Sequence, residues 1–205
     1  MRKNAIILFL ITSFVSLSYS QFTIGPKSGV NMSKLYNSDI DSNFKFGFHV
    51  GGFVKYNFTS SLSVQPELMY SQQSSFIDVS LIDYGGNVYF NGLKITYQYL
   101  HLPVLVNCNL GNSHFYLEFG PQLDYHLKSK YSLDNNDFKD DVLNEWKKIV
   151  FSAVGGLGYN FNNGLSFSAR YCHGLSNSIK KLPLHKNRCI QFSLAYNLSF
   201  ISKNR

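Results

Sequence analysis

The sequence predicts an all-β fold, namely an eight-stranded antiparallel up-and-down transmembrane β-barrel. Between residues 22 and 200, eight runs alternate apolar and polar residues, which is the side-chain period of a β-strand. Short and long gaps between the runs alternate strictly along the chain. The chain contains 14 Tyr, 18 Phe and 15 Gly but only 5 Pro, a composition that favours strands and tight turns over helices.

Each run has one face of large apolar side chains and one face of small or polar ones. In the second run, Phe46, Phe48 and Val50 share one face, while His49 and Gly51 share the other. The third run contains Pro66, which lacks the N–H that a strand ladder uses and therefore predicts a local bulge. The runs span residues 22–32, 44–58, 62–71, 93–110, 115–125, 149–161, 165–172 and 190–200.

The beginning of the chain has the features of a secretory signal peptide. Arg2 and Lys3 precede an uncharged, mostly apolar run over residues 5–17, and small residues follow ahead of Gln21. The run is shorter than the roughly 20 apolar residues that a spanning helix needs. We therefore expect a signal peptide at residues 1–20, a single barrel domain at residues 21–205 and no transmembrane helix.

The gaps between the runs set the expected orientation. Short gaps fall at residues 59–61, 111–112 and 162–163, and long gaps fall at residues 33–43, 72–92, 129–148 and 176–186. Short periplasmic turns and long extracellular loops are typical of an outer-membrane barrel, and an even number of strands then places both termini in the periplasm. Residues 136–148 have apolar residues at near-helical spacing, compatible with a short amphipathic helix or with an irregular loop.

Charge and cysteine usage exclude several classes of function. Without Arg2 and Lys3 the chain has 17 basic and 12 acidic residues, a scattered net charge of +5 that does not indicate nucleic acid binding. The three cysteines show no CxxC spacing, so we expect neither a metal site nor a cofactor. Cys172 and Cys189 flank the last long gap symmetrically, which makes a cross-strand disulfide on the lumen face a candidate.

The main structural alternative is a soluble, lipocalin-like barrel with its apolar face turned inward around a ligand. Against it, the small and polar face carries four charged residues, Lys27, Glu67, Glu118 and Arg170. Tyr residues also recur near the ends of the runs, where a membrane barrel has its aromatic girdles. We therefore expect the apolar face to contact outer-membrane lipid.

The four charged residues stand on the first, third, fifth and seventh runs, each five or six residues above the short-turn end. They should therefore share one level of the lumen, where two cations and two carboxylates neutralise each other and fill a narrow barrel. The alternative is a gated ion path or a catalytic carboxylate pair. His49 and His101 are expected to be lumen polar groups rather than metal ligands.

A basic segment near the end of the chain is a candidate anion-binding patch. No acidic residue occurs from residue 176 to residue 188, and the basic residues there are Lys180, Lys181, Lys186 and Arg188. Such a patch suits the phosphates of outer-leaflet lipopolysaccharide, and a merely solvated loop is the alternative.

Several motifs, in this order along the chain, resemble the PorT-type outer-membrane β-barrel family, whose members are OmpA/OmpX-like eight-stranded barrels. The motifs are Lys27–Ser33, Glu67–Gln73, Tyr99–Leu105, Phe119–Pro121, Arg170–Tyr171 and Gly174–Asn177. The resemblance implies an eight-stranded barrel, and the founding member of the family is associated with protein secretion and surface assembly. One departure is His101, since such proteins often carry an acid at this position.

These observations favour a non-catalytic integral outer-membrane protein with extracellular loops for surface interaction or a role in envelope or secretion assembly. Its expected partners are outer-membrane lipid, lipopolysaccharide and envelope proteins. The alternative is a lipopolysaccharide deacylase-like enzyme using His173 and Ser176. Those enzymes place His and Ser two residues apart on one strand face, whereas a separation of three sends them to opposite faces unless a bulge intervenes. An open pore, the third class, conflicts with a filled lumen.

Overall fold

The computed structural model describes residues 22–36, 42–82, 88–111, 113–133, 136–138, 147–177 and 186–198. Within these residues the chain forms nine β-strands. They are β1 Phe22–Tyr36, β2 Ser42–Asn57, β3 Leu62–Ile82, β4 Val88–Asn109, β5 Phe115–Leu133, β6 Asn136–Phe138, β7 Ile149–Asn160, β8 Leu165–Gly174 and β9 Lys186–Tyr196.

Eight of the strands form a closed antiparallel barrel, which confirms the predicted fold class. Going round the barrel the order is β1, β2, β3, β4, β5, β7, β8 and β9, and β9 pairs with β1. The short β6 pairs with the upper end of β5. No helix among the described residues has the length and apolar character needed to cross a membrane.

The barrel has polar residues inside and apolar residues outside. Large apolar side chains such as Phe46, Leu157 and Leu194 are exposed on the outer surface, whereas Asn31 and Ser71 are fully buried in the lumen. A soluble protein buries its apolar residues instead. This arrangement matches the predicted phase of the strands and the outer surface of a barrel in lipid.

Tight turns make the short connections at one end of the barrel. The hydroxyl oxygen of Thr59 accepts hydrogen bonds from the N–H groups of Ser61 and Leu62, at 3.2 and 2.9 Å. Gly111 and Gly164 have φ angles of 59° and 86°, which a residue with a side chain adopts at a cost. These turns stand where the sequence predicts them.

The strands at the opposite end are longer than predicted. β3 continues to Ile82 and β4 begins at Val88, so most of the loop predicted at residues 72–92 is strand. Residues 136–148 were compatible with a short amphipathic helix or with an irregular loop, but the first three of them form β6, whereas residues 139–146 lie outside the described residues. Residues 72–75 are Gln-Gln-Ser-Ser, and this polar run interrupts the apolar pattern of β3 before the strand ends.

Pro66 does not produce the predicted bulge. Pro66 lies opposite Val104, and Met69 lies opposite His101, which is the same register on both sides of the proline. The missing N–H therefore leaves a gap in the hydrogen-bond ladder without an extra residue. The register shifts lie elsewhere, for example between Gln98 and Tyr99 in the pairing of β4 with β5.

The barrel wall has an uneven height. β3, β4 and β5 have 21, 22 and 19 residues, whereas β7, β8 and β9 have 12, 10 and 11. A difference of ten residues corresponds to about 30 Å along a strand. The upper parts of β3, β4 and β5, with β6 at the edge, therefore project beyond the rest of the barrel, and we call them the projecting sheet.

Candidate functional site

The lumen is closed at mid-height by an ion-pair network centred on Arg170 of β8. Arg170 donates from Nη1 and Nη2 to the two carboxylate oxygens of Glu67, both at 2.7 Å. Its Nη2 also donates to Glu118 at 2.8 Å. Lys27 donates from Nζ to Glu67 at 3.2 Å. The structure thus brings together the four charged residues that the sequence places at one level, and all four are buried.

The charges of this network balance. Two cations face two carboxylates, and Gln65 donates a further hydrogen bond to Glu67 at 2.7 Å. Burying a charge away from water is costly unless the charge is paired and hydrogen-bonded. Here the carboxylate of Glu67 has partners from Lys27, Gln65 and Arg170, which is the dense pairing that a buried charge requires. We call Lys27, Glu67, Glu118 and Arg170 the ion-pair network.

A second polar network surrounds Asp124 of β5, which is buried in the lumen. Oδ1 of Asp124 lies 2.6 Å from Nδ1 of His101 and accepts a hydrogen bond of 2.6 Å from Gln122. Its Oδ2 accepts a hydrogen bond of 2.6 Å from the hydroxyl of Ser152. Ser152 and His101 therefore bind the same carboxylate rather than each other, so this is not the geometry of a Ser–His–Asp triad. Nε2 of His101 instead faces the side-chain amide of Gln73 at 3.2 Å.

His49 lies in a third polar group of the lumen. Its Nδ1 is 2.6 Å from Oδ1 of Asn31 and its Nε2 is 2.8 Å from the hydroxyl of Ser193. Both ring nitrogens thus have hydrogen-bond partners. No cluster of three or more His, Cys, Asp or Glu side chains that could hold a metal ion occurs in the part of the chain that the structure describes.

Little space remains between these networks. A cavity of about 10 Å³ is bordered by Lys27, His49, Glu67, His101 and Arg170, among others. This volume is close to the minimum that one water molecule requires. Tyr97 and Tyr99 fill the lumen above the cavity and are almost completely buried.

Cys172 and Cys189 lie directly opposite each other on β8 and β9, as the symmetric position of the two residues predicted. Both are free thiols, so the candidate disulfide is not formed in this structure. The thiol of Cys189 is directed at the carbonyl oxygen of Ile190 at 3.7 Å. The two side chains pack in an apolar cluster with Leu105 and Val154.

His173 and Ser176 are not arranged as a catalytic pair. His173 lies on the outer face of β8, with its ring 6.2 Å from that of Tyr171. β8 ends at Gly174, and the hydroxyl of Ser176 accepts a hydrogen bond from the N–H of Phe151 at 2.9 Å. The deacylase hypothesis requires one strand face that carries both His173 and Ser176. The structure has no such face, because β8 ends before Ser176.

The basic residues near the end of the chain lie on a strand as far as they are described. Lys186 and Arg188 belong to β9 rather than to a loop, which corrects the predicted boundary of the patch. Lys180 and Lys181 lie outside the described residues. Cys189 and Asn187 are buried in the lumen, so the alternation of the strand turns Lys186 and Arg188 to the outer surface.

Comparisons with known proteins identify a family and a fold. A family described as outer membrane protein beta-barrel domain matches residues 14–180. The structure of neisserial surface protein A has a TM-score of 0.53 and 10% identity, over 86% of this chain and 97% of that one. The attachment invasion locus protein Ail of Yersinia pestis has a TM-score of 0.48 and 13% identity, over 87% of this chain and 99% of that one. At 10% identity the likeness to neisserial surface protein A shows the fold alone. No curated protein sequence matches the chain.

Proposed function

Because the chain belongs to the family of outer-membrane β-barrel proteins, we propose that it is a non-catalytic barrel of the outer membrane that acts through its extracellular surface. It spans the membrane with eight strands and presents the projecting sheet and the connections around it to partners at the cell surface or in the envelope. Its lumen serves as a rigid support rather than as a passage or an active site.

The observation that carries this proposal is the filled and charge-balanced lumen. The ion-pair network joins Lys27 and Arg170 to Glu67 and Glu118 across the barrel, and the cavity that it borders has a volume of about 10 Å³. An eight-stranded barrel has an interior just wide enough for its own side chains. We therefore expect no passage of solutes at the level of the ion-pair network, which leaves the outer surfaces for function.

The proposed orientation places the short turns in the periplasm and both chain termini on the same side. Aromatic side chains gather on the outer surface near the short turns, which suits a membrane–water interface. Tyr56 packs against Phe22 and Phe58, with ring centroids 4.9 Å apart in both pairs. Tyr159 packs in the same way against Phe115 and Phe161, again at 4.9 Å. The projecting sheet then extends away from the cell.

The motifs that resemble the PorT-type family support a finer proposal, a role in envelope or secretion assembly. In that case the partner is an envelope protein that binds the projecting sheet. The second proposed partner is the lipid of the outer membrane, which includes lipopolysaccharide in the outer leaflet. The family is broad and fold alone does not fix function, so the partner needs a direct test.

Epitope tags test the orientation. One tag is inserted between Ile82 and Val88, and a matched tag is inserted beside Asn163 in the short turn between β7 and β8. We expect antibody to bind intact cells that carry the first tag but to bind the second only after the cells are opened. Labelling of the second tag on intact cells would contradict the orientation.

The surface role is tested by shortening the projecting sheet. Residues 78–91 are replaced by a two-residue turn in a strain that lacks the native protein. We expect the shortened barrel to reach the membrane but to fail to restore the phenotype of the deletion. The control replaces Arg170 by Lys, which keeps the projecting sheet intact. Full restoration by the shortened barrel would reject the proposed role.

The filled lumen has its own test in planar bilayers. The refolded mature chain should insert without steady channel openings, because no continuous water path crosses the ion-pair network. The Lys27→Ala, Glu67→Ala, Glu118→Ala, Arg170→Ala variant removes the whole network without changing the net charge, and it should show openings more often. Steady openings of the unaltered chain would contradict the proposal.

A further inference from the structure

A chain of side-chain hydrogen bonds leads from His101 toward the upper end of the lumen. Nε2 of His101 lies 3.2 Å from the side-chain nitrogen of Gln73. The side-chain oxygen of Gln73 accepts a hydrogen bond of 2.8 Å from Asn187, and the side-chain oxygen of Asn187 accepts one of 3.4 Å from the hydroxyl of Tyr97. All four side chains are buried. We call His101, Gln73, Asn187 and Tyr97 the amide chain.

The hydrogen bonds of the amide chain all run in one direction. An amide nitrogen donates and an amide oxygen accepts, so Tyr97 donates to Asn187 and Asn187 donates to Gln73. The nitrogen of Gln73 is the group that remains for His101, and Nε2 of His101 therefore accepts. The single proton of the imidazole ring then lies on Nδ1, which donates it to Asp124 over 2.6 Å.

A second proton on His101 would reverse this direction. Its Nε2–H would face a donor of Gln73, and two donors cannot form a hydrogen bond. Half a turn of the Gln73 amide presents its oxygen to Nε2–H and its nitrogen to Asn187. The amide of Asn187 turns in the same way and donates to the oxygen of Tyr97. The hydroxyl of Tyr97 then donates to Ser33, with which this side chain has a hydrogen bond.

Both directions keep the buried polar groups of the amide chain paired. A buried donor or acceptor without a partner is costly, and neither protonation state of His101 leaves one in the amide chain. Ser71 accepts from the nitrogen of Gln73 at 3.4 Å, and its hydroxyl can donate to the oxygen of Gln73 after the turn. The lumen thus has two complete hydrogen-bond arrangements that differ by one proton.

The titratable groups around His101 come from several strands. They are Lys27 of β1, His49 of β2, Glu67 of β3, Tyr99 of β4, Asp124 of β5 and Arg170 of β8, with His126 of β5 behind the ring of Tyr99. Lys27, Glu67 and Arg170 belong to the charge-balanced ion-pair network. Asp124 contacts His101 directly, and its carboxylate is the charge that attracts a second proton to the ring.

From this geometry we infer that His101 is a proton-binding site of the lumen and that the amide chain adapts to the proton. The proton comes from water and binds Nε2, so that His101 and Asp124 become an ion pair and no other bond is made or broken. Its binding at mid-height changes the hydrogen bonds of Asn187, near the end of β9 opposite to the short turns. This inference is independent of the proposed orientation and surface role.

NMR spectra of the refolded mature chain in neutral detergent, with nitrogen-labelled His, Gln and Asn, test the site. The His101→Gln variant assigns the ring signals of His101. At alkaline pH we expect a single tautomer with its proton on Nδ1. On acidification a second proton should appear on Nε2, and the side-chain amide signals of Gln73 and Asn187 should change with the same midpoint.

The Gln73→Glu variant places an acceptor in front of Nε2 without any rotation. At a pH where the unaltered chain has both forms, the ratio of doubly to singly protonated His101 should rise at least about tenfold, as expected for a hydrogen bond between charged groups. The matched control is Gln191→Glu, which adds the same charge at the border of the same cavity. Gln191 lies opposite Arg170, which offsets the added charge, and the ratio should change less than about threefold.

The Gln73→Met variant interrupts the amide chain with an unbranched side chain. His101 should still take up its second proton, but the amide signals of Asn187 should no longer change with it. A heat-dependent shift in gel mobility verifies that each variant is folded.

Several outcomes would overturn the inference. A ring of His101 that stays singly protonated down to the pH at which the barrel unfolds would remove the proton site, and a proton on Nε2 at alkaline pH would contradict the direction of the amide chain. Signals of Asn187 that still follow His101 in Gln73→Met would remove the role of the amide chain. Equal effects of Gln73→Glu and Gln191→Glu would indicate a general effect of charge. The surface role is decided separately, by the shortened projecting sheet.

Discussion

Arg170 is the residue on which the lumen depends most. Its guanidinium group binds Glu67 through both terminal nitrogens and binds Glu118 at the same time. A lysine in its place could supply the charge but not this planar set of donors. The removal of Arg170 leaves two carboxylates in the lumen with Lys27 as the cation of the network.

We expect Arg170→Met to lower the free energy of unfolding by about 3–5 kcal/mol, the typical cost of breaking a buried ion pair by removing one partner. Arg170→Lys should cost less, because it keeps the charge. Urea unfolding of the refolded barrel in lipid vesicles measures both changes. A cost below about 1 kcal/mol for Arg170→Met would show that the network is hydrated or weakly paired.

Two glycines of β7 offer a matched pair of substitutions. A Cβ atom on Gly158 would lie 2.2 Å from the ring of Tyr116, which is buried over this glycine, whereas a Cβ atom on Gly155 would meet nothing within 4 Å. We expect Gly158→Ala to destabilise the barrel by about 1–3 kcal/mol through overpacking. Gly155→Ala should be neutral or slightly stabilising. Equal urea midpoints for the two variants would contradict the packing of Tyr116.

At the scale of single elements, the strands were predictable wherever one face is apolar. In β4 the alternation of apolar and polar residues predicts which side chains face outward. Leu102 and Val104 lie outward and His101 lies inward, as this alternation indicates. The upper part of β3 was not predictable, because it begins with the polar residues Gln72, Gln73 and Ser74, so neither face is apolar where the predicted run ends. The strand continues there through its hydrogen bonds with β2 and β4.

The lumen site was predictable in part. The sequence placed Lys27, Glu67, Glu118 and Arg170 at one level because their distances from the short turns are similar. It did not identify the partnership of His101 with Asp124, since that contact depends on the register between β4 and β5. Asp124 lies on the polar face of its run, but only the register between β4 and β5 places it opposite His101.

The pairing of β8 with β9 gives a test of the cysteines. Because Cys172 and Cys189 are buried free thiols, a membrane-impermeant maleimide should not modify them in the folded barrel. In urea without reductant the chain should take up three maleimide groups, one for each of its cysteines. Uptake of a single group without reductant and of three with reductant would instead reveal a disulfide.

At the scale of the whole molecule, charge and apolar surface are separated by the barrel wall. The described carboxylates face inward, while the outer wall is apolar in its middle and basic at the end opposite to the short turns. This distribution is stable only if the middle of the wall meets lipid. The free-energy cost of replacing an outward residue by a charged one should therefore depend on the depth of that residue in the membrane.

Phe119 and Leu127 of β5 test this dependence on depth. Both side chains are exposed on the outer wall, at 53% and 40%, but Phe119 lies near the middle of the apolar band and Leu127 lies beyond Tyr125 near its edge. We expect Phe119→Arg to cost about 2–4 kcal/mol in lipid vesicles and Leu127→Arg about 0–1 kcal/mol. Similar costs at both positions, measured by urea unfolding, would argue against lipid contact along the wall.

The origin of the ion-pair network on alternate strands has a consequence for assembly. Its members come from β1, β3, β5 and β8, which are every second strand around the circumference. Arg170 of β8 and Glu67 of β3 stand on opposite sides of the barrel, so their contact forms only when the sheet closes, and a slip of one residue in any of these strands would send its charge to the lipid side. The network is therefore complete only after β1 and β9 have paired in the correct register. Its ion pairs then stabilise the correctly closed barrel relative to barrels with a shifted register.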